Sequence, residues 1–357
     1  MLNQAPAKQL PFVSLVMSLR NEETFLSTSL AAIEDQDYPK ELYELIAVDG
    51  GSTDRSVEIL KAFPLSVSHT TLATGSNLTI PAAMNLGIRA ARGDIIIKLD
   101  AHGYPSRNFV RGIAERLWAQ PDLGAVGGCI VQRGETPAAE ANGWARTSAF
   151  GVGRGPYTAG QEEGYVASVQ CGGYRREVLD RVGIFDEEIG VGEDDELNWR
   201  VVKGGYRILF TPAIEFFYYA RSTLRALFRQ YFWYGDARTL VLRKHPDFLR
   251  IKHLVPPAFV VALLLSFSLA FFFTFGRYSL AGLLAAYGLG LVAASARLAR
   301  EKGWRYFPRF LGSFSAMHVG YGIGFLCGSW NYWILAKQAR FPIPRQQAAR
   351  PTIAGGE

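Results

Sequence analysis

Apolar and polar positions along this chain fall into two regimes. Up to about residue 250, short apolar runs alternate with polar breaks; beyond it, the runs outlast anything a buried strand needs. Residues 12–19 (F-V-S-L-V-M-S-L) form a continuous apolar, β-leaning stretch that stops at Arg20-Asn21-Glu22-Glu23, as expected of a buried parallel strand. Ser27 to Asp35 reads as a helix. Leu42 to Val48 reads as a second strand, halted by Asp49-Gly50-Gly51, and Ser52, Thr53 and Asp54 offer helix-cap chemistry. Val57 to Phe63 is again helical, the alanine-rich stretch 81–92 predicts another helix, and Ile95 to Leu99 a third apolar strand ending at Asp100. Residues 124–131 and 206–214 suggest later strands, whereas 133–165 is Gly-rich, weakly patterned and expected to be loop. Strand–helix alternation with polar residues at strand ends predicts a doubly wound, mostly parallel α/β sheet with ligands at the strand carboxyl ends.

The first regime closes with an amphipathic, aromatic stretch at 225–240 (an interfacial helix spanning about 222–245), expected to lie at a membrane surface. Residues 254–276 and 278–296 then carry no charge apart from the Arg277 between them, and each roughly meets the ~20 residues a helix needs to cross a bilayer. A basic connector (Arg297, Arg300, Lys302, Arg305, Arg309) follows, and 310–336 is apolar again, interrupted by His318 and several glycines. Two to three spans are expected. Three spans would export the basic tail, 337–357, against the positive-inside tendency; a re-entrant third segment is the alternative. The predicted organisation is therefore a globular domain over 1–245, a transmembrane region over 254–336 and a polar tail.

Charge changes the picture only once it is located. The 357 residues carry a net charge of +6, which alone would suggest a nucleic-acid partner. Residues 251–357 hold 11 basic against 2 acidic side chains, leaving 27 against 30 in the first 250. The excess sits beside the apolar segments, so no nucleic-acid partner is expected. Cys129, Cys171 and Cys327 have neither zinc nor redox spacing and read as small buried hydrophobes. The first residues lack the apolar core of a secretory signal, so the globular part is expected in the cytoplasm, with the protein a multi-pass component of the inner membrane.

Four acidic clusters precede the apolar tail: Asp49 in V-D-G-G-S-T-D, Asp100 in L-D-A-H, Asp186 in G-I-F-D-E, and Glu193, Asp194, Asp195 and Glu196 in G-E-D-D-E-L. Asp49, at a strand end before two glycines, can accept from a base or ribose; the same residues would equally serve as a turn and helix cap. The acidic run at 193–196 would also suit a solvated helix N-terminus, and its crowding should raise at least one carboxyl pKa.

The ordered set S-L-R-N-E-E (18–23), V-D-G-G-S-T-D (48–54), N-L-G-I-R-A-A-R-G-D-I-I-I-K-L-D-A-H (85–102), G-G-Y-R-R-E-V-L-D-R-V-G-I-F-D-E (172–187) and G-E-D-D-E-L-N-W-R (192–200) resembles the family 2 glycosyltransferases, with their GT-A fold, over roughly residues 10–240. The L-D-A-H form and the apolar tail look most like the succinoglycan-type exopolysaccharide glucosyltransferases of bacteria. The resemblance implies nucleotide-sugar contacts from Asp49, Arg20, Glu23 and Asp100, and a divalent metal held by Asp100 and His102. The imidazole at the second metal position leaves Mn²⁺ and Mg²⁺ both open. It further implies a general base at Asp194, with Asp195 as fallback, and acceptor-side roles for Gly172, Gly173 and Glu193. Gln230 and Trp233 are further acceptor candidates. They stand where chain-extending members carry Q-x-x-R-W, and Trp233 replaces the Arg, against processive polymerisation.

The expected activity is inverting transfer of one hexose, glucose from UDP-glucose first, to a polyprenyl-diphosphate-linked sugar at the inner face of the bilayer. A polyprenyl-phosphate acceptor, or a non-catalytic nucleotide-sugar-binding membrane subunit, are the alternatives.

Overall fold

The computed structural model describes residues 10–73, 78–151 and 162–337. They divide into two compact units. The first holds the described residues up to Val131 and from 162 to Tyr218; the second holds 132–151 and 219–337.

The first unit is organised by a mixed sheet of nine strands, which opens as strand–helix alternation. Strands β1 (Val13–Leu19), β2 (Tyr43–Asp49), β3 (Ser68–Ala73) and β4 (Ile95–Asp100) are parallel in the order β3-β2-β1-β4. Helices α1 (Leu26–Glu34), α2 (Ser56–Ala62) and α3 (Ile80–Ala90) lie between them in the chain. There follow β5 (Gly103–Pro105), α4 (Phe109–Ala119), β6 (Leu123–Arg133), α5 (Pro137–Thr147), β7 (Gly164–Val166), β8 (Gly173–Arg175), α6 (Arg176–Val182), α7 (Glu193–Lys203) and β9 (Arg207–Tyr219). The short β8 lies between β4 and β6 and is antiparallel to both. Strand β9 takes β5 and β7, also antiparallel.

The continuous apolar runs have a simple cause: both faces of the sheet are covered. Val13, Leu15 and Met17 of β1 pack with Leu26, Leu30 and Ile33 of α1 and Ile113 and Leu117 of α4. Val16, on the opposite face, packs with Met84 and Ile88 of α3 and Leu197 and Val201 of α7. Leu19 pairs with Asp49 and Ser18 with Asp100, so β1, β2 and β4 end level and bring their polar terminal residues to one edge.

The region expected to be loop, 133–165, contains a helix. Thr136 caps α5 by accepting from the Ala139 N–H at 3.1 Å, and Pro137 occupies its first turn. Its apolar positions are alanines: Ala141 and Ala145 are fully buried in the second unit's core, so the helix signal lay in residues too small to stand out as periodicity. Residues 152–161 lie outside the described part.

The second unit comprises α5 with α8 (Leu224–Lys244), α9 (Ile251–Phe272), α10 (Thr274–Lys302) and α11 (Phe307–Ser329). The amphipathic stretch is helical as expected, and α9, α10 and α11 with its final turn are each long and apolar enough to cross a membrane. Two boundaries differ from the sequence reading. The break between the first two apolar helices falls at extended Phe273, before Arg277, because Gly276 lets α10 begin against the backbone of Ala270. Helix α10 also runs on through Arg297, Arg300 and Lys302, so most of the basic connector is helix. Helix α11 is the most enclosed of the three. Its Gly320 and Gly328 face the carbonyls of Phe228 and Asp236 on α8, where an added Cβ would come within 2.7 Å of each oxygen. Leu264, Leu265, Phe267, Phe271 and Leu289 of α9 and α10 stay exposed, as lipid-facing residues would.

Candidate active site

The edge where β1, β2 and β4 end is shaped by two turns that fasten to each other. Asn21 adopts a left-handed conformation (φ 55°), which Asn tolerates better than most residues. Its N–H donates to Ser52 Oγ at 2.9 Å and its Oδ1 accepts from the Thr53 N–H at 2.7 Å. The Glu22 N–H donates to Ser56 Oγ and the Glu23 N–H to Asp54 Oδ2. Glu23 in turn accepts from the Arg55 N–H at 3.1 Å, so its carboxylate braces this turn. Asp49 is buried and accepts from the backbone N–H groups of Gly51 and Ser52, the turn-cap chemistry that the sequence also allowed. Arg20 stands at the same edge, its Cβ 3.9 Å from where a side chain on Gly50 would begin. The structure thus gathers Arg20, Glu23 and Asp49 around one pair of turns.

Asp100 ends β4 with a fifth of its side chain exposed. Cys171, held left-handed at φ 46°, directs its thiol at Asp100 Oδ2 over 3.5 Å. Burial pushes that thiol well above its ordinary pKa, so it stays a neutral donor. His102, two residues on, lies nearly buried with Nδ1 3.4 Å from Glu22 Oε1 and its ring edge-on to Tyr218 at 4.6 Å. Burial opposes its charge, but Tyr218, Glu22 and Asp100 outweigh that and hold the imidazole up to about 10. Nε2 of His102 and Oε2 of Glu22 are buried and have no hydrogen-bond partner among the described residues. Asp100 and His102 fit a divalent cation: one carboxylate, and one imidazole nitrogen that would bind the metal on giving up its proton, while the other is oriented by the Glu22 carboxylate. Among the described residues, no group of three or more His, Cys, Asp and Glu is arranged to hold a metal alone. A diphosphate would have to supply the remaining oxygens.

The acidic run opens α7 immediately after Gly192, whose left-handed backbone (φ 79°) turns the chain into the helix. The structure divides its four carboxylates: two share one ammonium, and the other two meet different side chains. Glu193 Oε1 and Asp194 Oδ2 accept from Lys98 Nζ at 2.8 and 2.7 Å, Asp195 accepts from Ser168 Oγ at 2.7 Å, and Glu196 pairs with Arg200. Lys98 also stands 3.6 Å from Asp100 Oδ1. Asp100 and Asp194, 94 positions apart in the chain, thus face one ammonium nitrogen. Burial pushes Asp194 up to about 7 against the pull of Lys98, with Glu193 and Asp100 adding to the rise. Lys98 is held well above its ordinary value by Asp100, Asp194 and Glu193, although burial works against its charge.

Other sequence candidates take packing positions. Beside Gly172 an added Cβ would meet Val169 Cγ2 at 2.8 Å, and Gly173 lies in β8 against Ile97 and Ile113. Arg175 and Arg176 donate to the carbonyls ending α4 and α3. Asp186 caps its own turn through the Glu188 N–H, and Asn85 fastens that segment through both the N–H and C=O of Phe185. Gln230 and Trp233 belong to α8 of the second unit, where Gln230 donates to Tyr234 Oη. Lys98 and Glu22 were not singled out from sequence. A lone charge inside an otherwise apolar strand two residues before Asp100 was the available signal for Lys98; for Glu22 there was none beyond its neighbour Glu23.

Comparison with known proteins bears on the family and the fold. Residues 14–183 match the family model described as glycosyl transferase family 2. A dolichyl N-acetyl-α-D-glucosaminyl phosphate 3-β-D-2,3-diacetamido-2,3-dideoxy-β-D-glucuronosyltransferase of Methanococcus voltae is 30% identical, over 71% of this chain and 80% of that protein. The succinoglycan biosynthesis protein ExoA of Rhizobium meliloti is 29% identical, over 68% of this chain and 74% of that protein. In structure, a mannosyltransferase of Pyrobaculum calidifontis solved with GDP-Man and Mn²⁺ superposes with a TM-score of 0.58 at 21% identity, covering 89% of each chain; that likeness establishes the GT-A fold. With its level edge of strand ends, a GT-A sheet and an extended similarity to sugar transferases, the chain belongs to glycosyltransferase family 2.

Proposed function

We propose that this glycosyltransferase is inverting and metal-dependent, and that it moves a single hexose, glucose from UDP-glucose first, to a polyprenyl-diphosphate-linked sugar in exopolysaccharide assembly. The observation that carries the reading is the approach of Asp100 and Asp194 to one buried ammonium, Lys98. Inverting transfer needs two groups at opposite ends of one sugar: something to receive the departing diphosphate, and a base for the incoming alcohol. Asp100 and His102 would hold the cation, which as a Lewis acid neutralises charge developing on the diphosphate. Arg20, Asp49 and Glu23 would place the nucleotide from the neighbouring turns.

Asp194 does the chain's own proton chemistry. The acceptor hydroxyl donates to Asp194 Oδ1, a buried oxygen with no hydrogen-bond partner among the described residues. As its O–H bond breaks, the alcohol oxygen forms a bond to the anomeric carbon. The opposite bond, to the diphosphate oxygen, breaks with its electron pair, so the anomeric centre inverts. Asp195 remains the fallback base. One relative supports a lipid-linked sugar acceptor, being named for a dolichyl-linked sugar phosphate, and the other supports the exopolysaccharide context, being named for succinoglycan biosynthesis.

The three apolar helices support membrane association; the proposed placement is multi-pass in the inner membrane, with the first unit cytoplasmic. A polyprenyl acceptor is confined to the bilayer, so an enzyme tethered there meets it at high effective concentration. The test is incubation of membranes bearing the protein with radiolabelled UDP-glucose or UDP-galactose and Mn²⁺, then mild-acid release and sizing of lipid-linked product. One added glucose is expected; a ladder, or label on bare polyprenyl phosphate, would replace this reading.

A further inference from the structure

Lys98 sits in the middle of β4 between Ile97 and Leu99, with only 3% of its side chain exposed. An ammonium so placed is costly unless every donor finds an acceptor. Nothing in the packing calls for it: the ring of Phe185 lies 5.9 Å away and would accept an apolar neighbour equally well. What calls for it is the first turn of α7. There Glu193 and Asp194 converge on the strand that carries Asp100, and without a cation three carboxylates would face one another. Lys98 also divides the two oxygens of Asp194. Oδ2 accepts its hydrogen bond at 2.7 Å, while Oδ1 is left buried and has no partner among the described residues.

Resting on the reading of Asp194 as base, we propose that Lys98 is the positioning residue of this site. By gripping Asp194 Oδ2 and Glu193 Oε1, it aims Oδ1 at the acceptor hydroxyl and fixes the base relative to the metal-side carboxylate, Asp100. It touches neither substrate in this role; it acts through Asp194.

The full-length protein in detergent, with Mn²⁺, UDP-glucose and a lipid-linked primer, provides the test. Lys98→Met is expected to lower kcat about 100-fold, the scale on which a misplaced catalytic group fails. The KM for UDP-glucose and the UDP affinity measured by calorimetry should change little, and Lys98→Arg should recover part of kcat. Near-parental kcat in Lys98→Met would overturn the proposal. So would parallel loss of kcat and UDP binding that Lys98→Arg does not relieve, since that is the mark of a merely structural role. If Lys98→Met fails to fold, Lys98→Met with Glu193→Gln removes one of the charges left behind. That double variant should bind UDP yet remain slow beside Glu193→Gln alone; parental turnover in it would reduce Lys98 to a charge balance. Asp194→Asn measured alongside separates the two readings. If it is active, the base assignment fails and this proposal with it; if it is inactive while Lys98→Met is active, only the role of Lys98 falls.

Discussion

Asp194 and its partners show how a sequence of four adjacent carboxylates becomes four different residues. Only one of them, Asp194, combines contact with Lys98 and an open buried oxygen. Its raised pKa has a definite sign in the kinetics. A base must be deprotonated, so kcat/KM for the free enzyme should climb as pH rises through about 7 and level off above it. Asp194→Asn should drop transfer below a few per cent at every pH while UDP binding by calorimetry persists; substantial residual transfer would move the base to Asp195. Glu22 and His102 make a second residue-scale case. If His102 faces the cation through Nε2, Glu22→Gln removes the carboxylate that orients it and should weaken Mn²⁺ activation roughly 10–100-fold, read from the metal dependence of rate. An unchanged Mn²⁺ midpoint would leave His102 as a buried loop histidine. Chelation of the metal should abolish transfer, and Mn²⁺ should restore it.

At the scale of elements, the strands were legible because their burial is two-sided and their residues read as unbroken apolar runs. The helices over 27–35, 57–63 and 81–92 were found within a few residues of their ends. Helix α5 was not, for its core contacts come from Ala141 and Ala145, and Gly143 interrupts what pattern remains. Short β5, β7 and β8 carry only three residues each, too few for any period to register. The pairing of α8 with α11 is a tertiary fact written in glycine. Gly320→Ala would place a methyl 2.7 Å from the Phe228 carbonyl oxygen, and overpacking of that kind costs about 1–3 kcal/mol. A lowered melting temperature in detergent is expected for it, whereas Gly282→Ala, with open space around it on α10, should be neutral or stabilising.

For the whole molecule, the uneven distribution of charge and hydropathy set the plan: a slightly acidic catalytic part and an apolar, basic remainder. Three helices are long and apolar enough to cross a membrane, and on the proposed reading the bilayer is part of the protein's working environment. Transfer to a long-chain lipid acceptor in vesicles should accordingly outpace transfer to a short, water-soluble analogue at equal bulk concentration. Equal rates, measured as initial velocities, would show that the membrane contributes nothing to acceptor capture.

By itself the sequence determined the class of fold, the apolar helices and the residue types at the strand ends. Each is a local or periodic property: alternating burial, hydrophobic length, and a carboxylate before a turn. Only the tertiary structure decided which carboxylate pairs with which cation. Glu22 after β1 opposite His102 after β4, and Lys98 of β4 against Asp194 of α7, are meetings of segments distant in the chain. Side-chain direction there depends on register and on the conformation of Gly192, and no one-dimensional pattern of polarity encodes either.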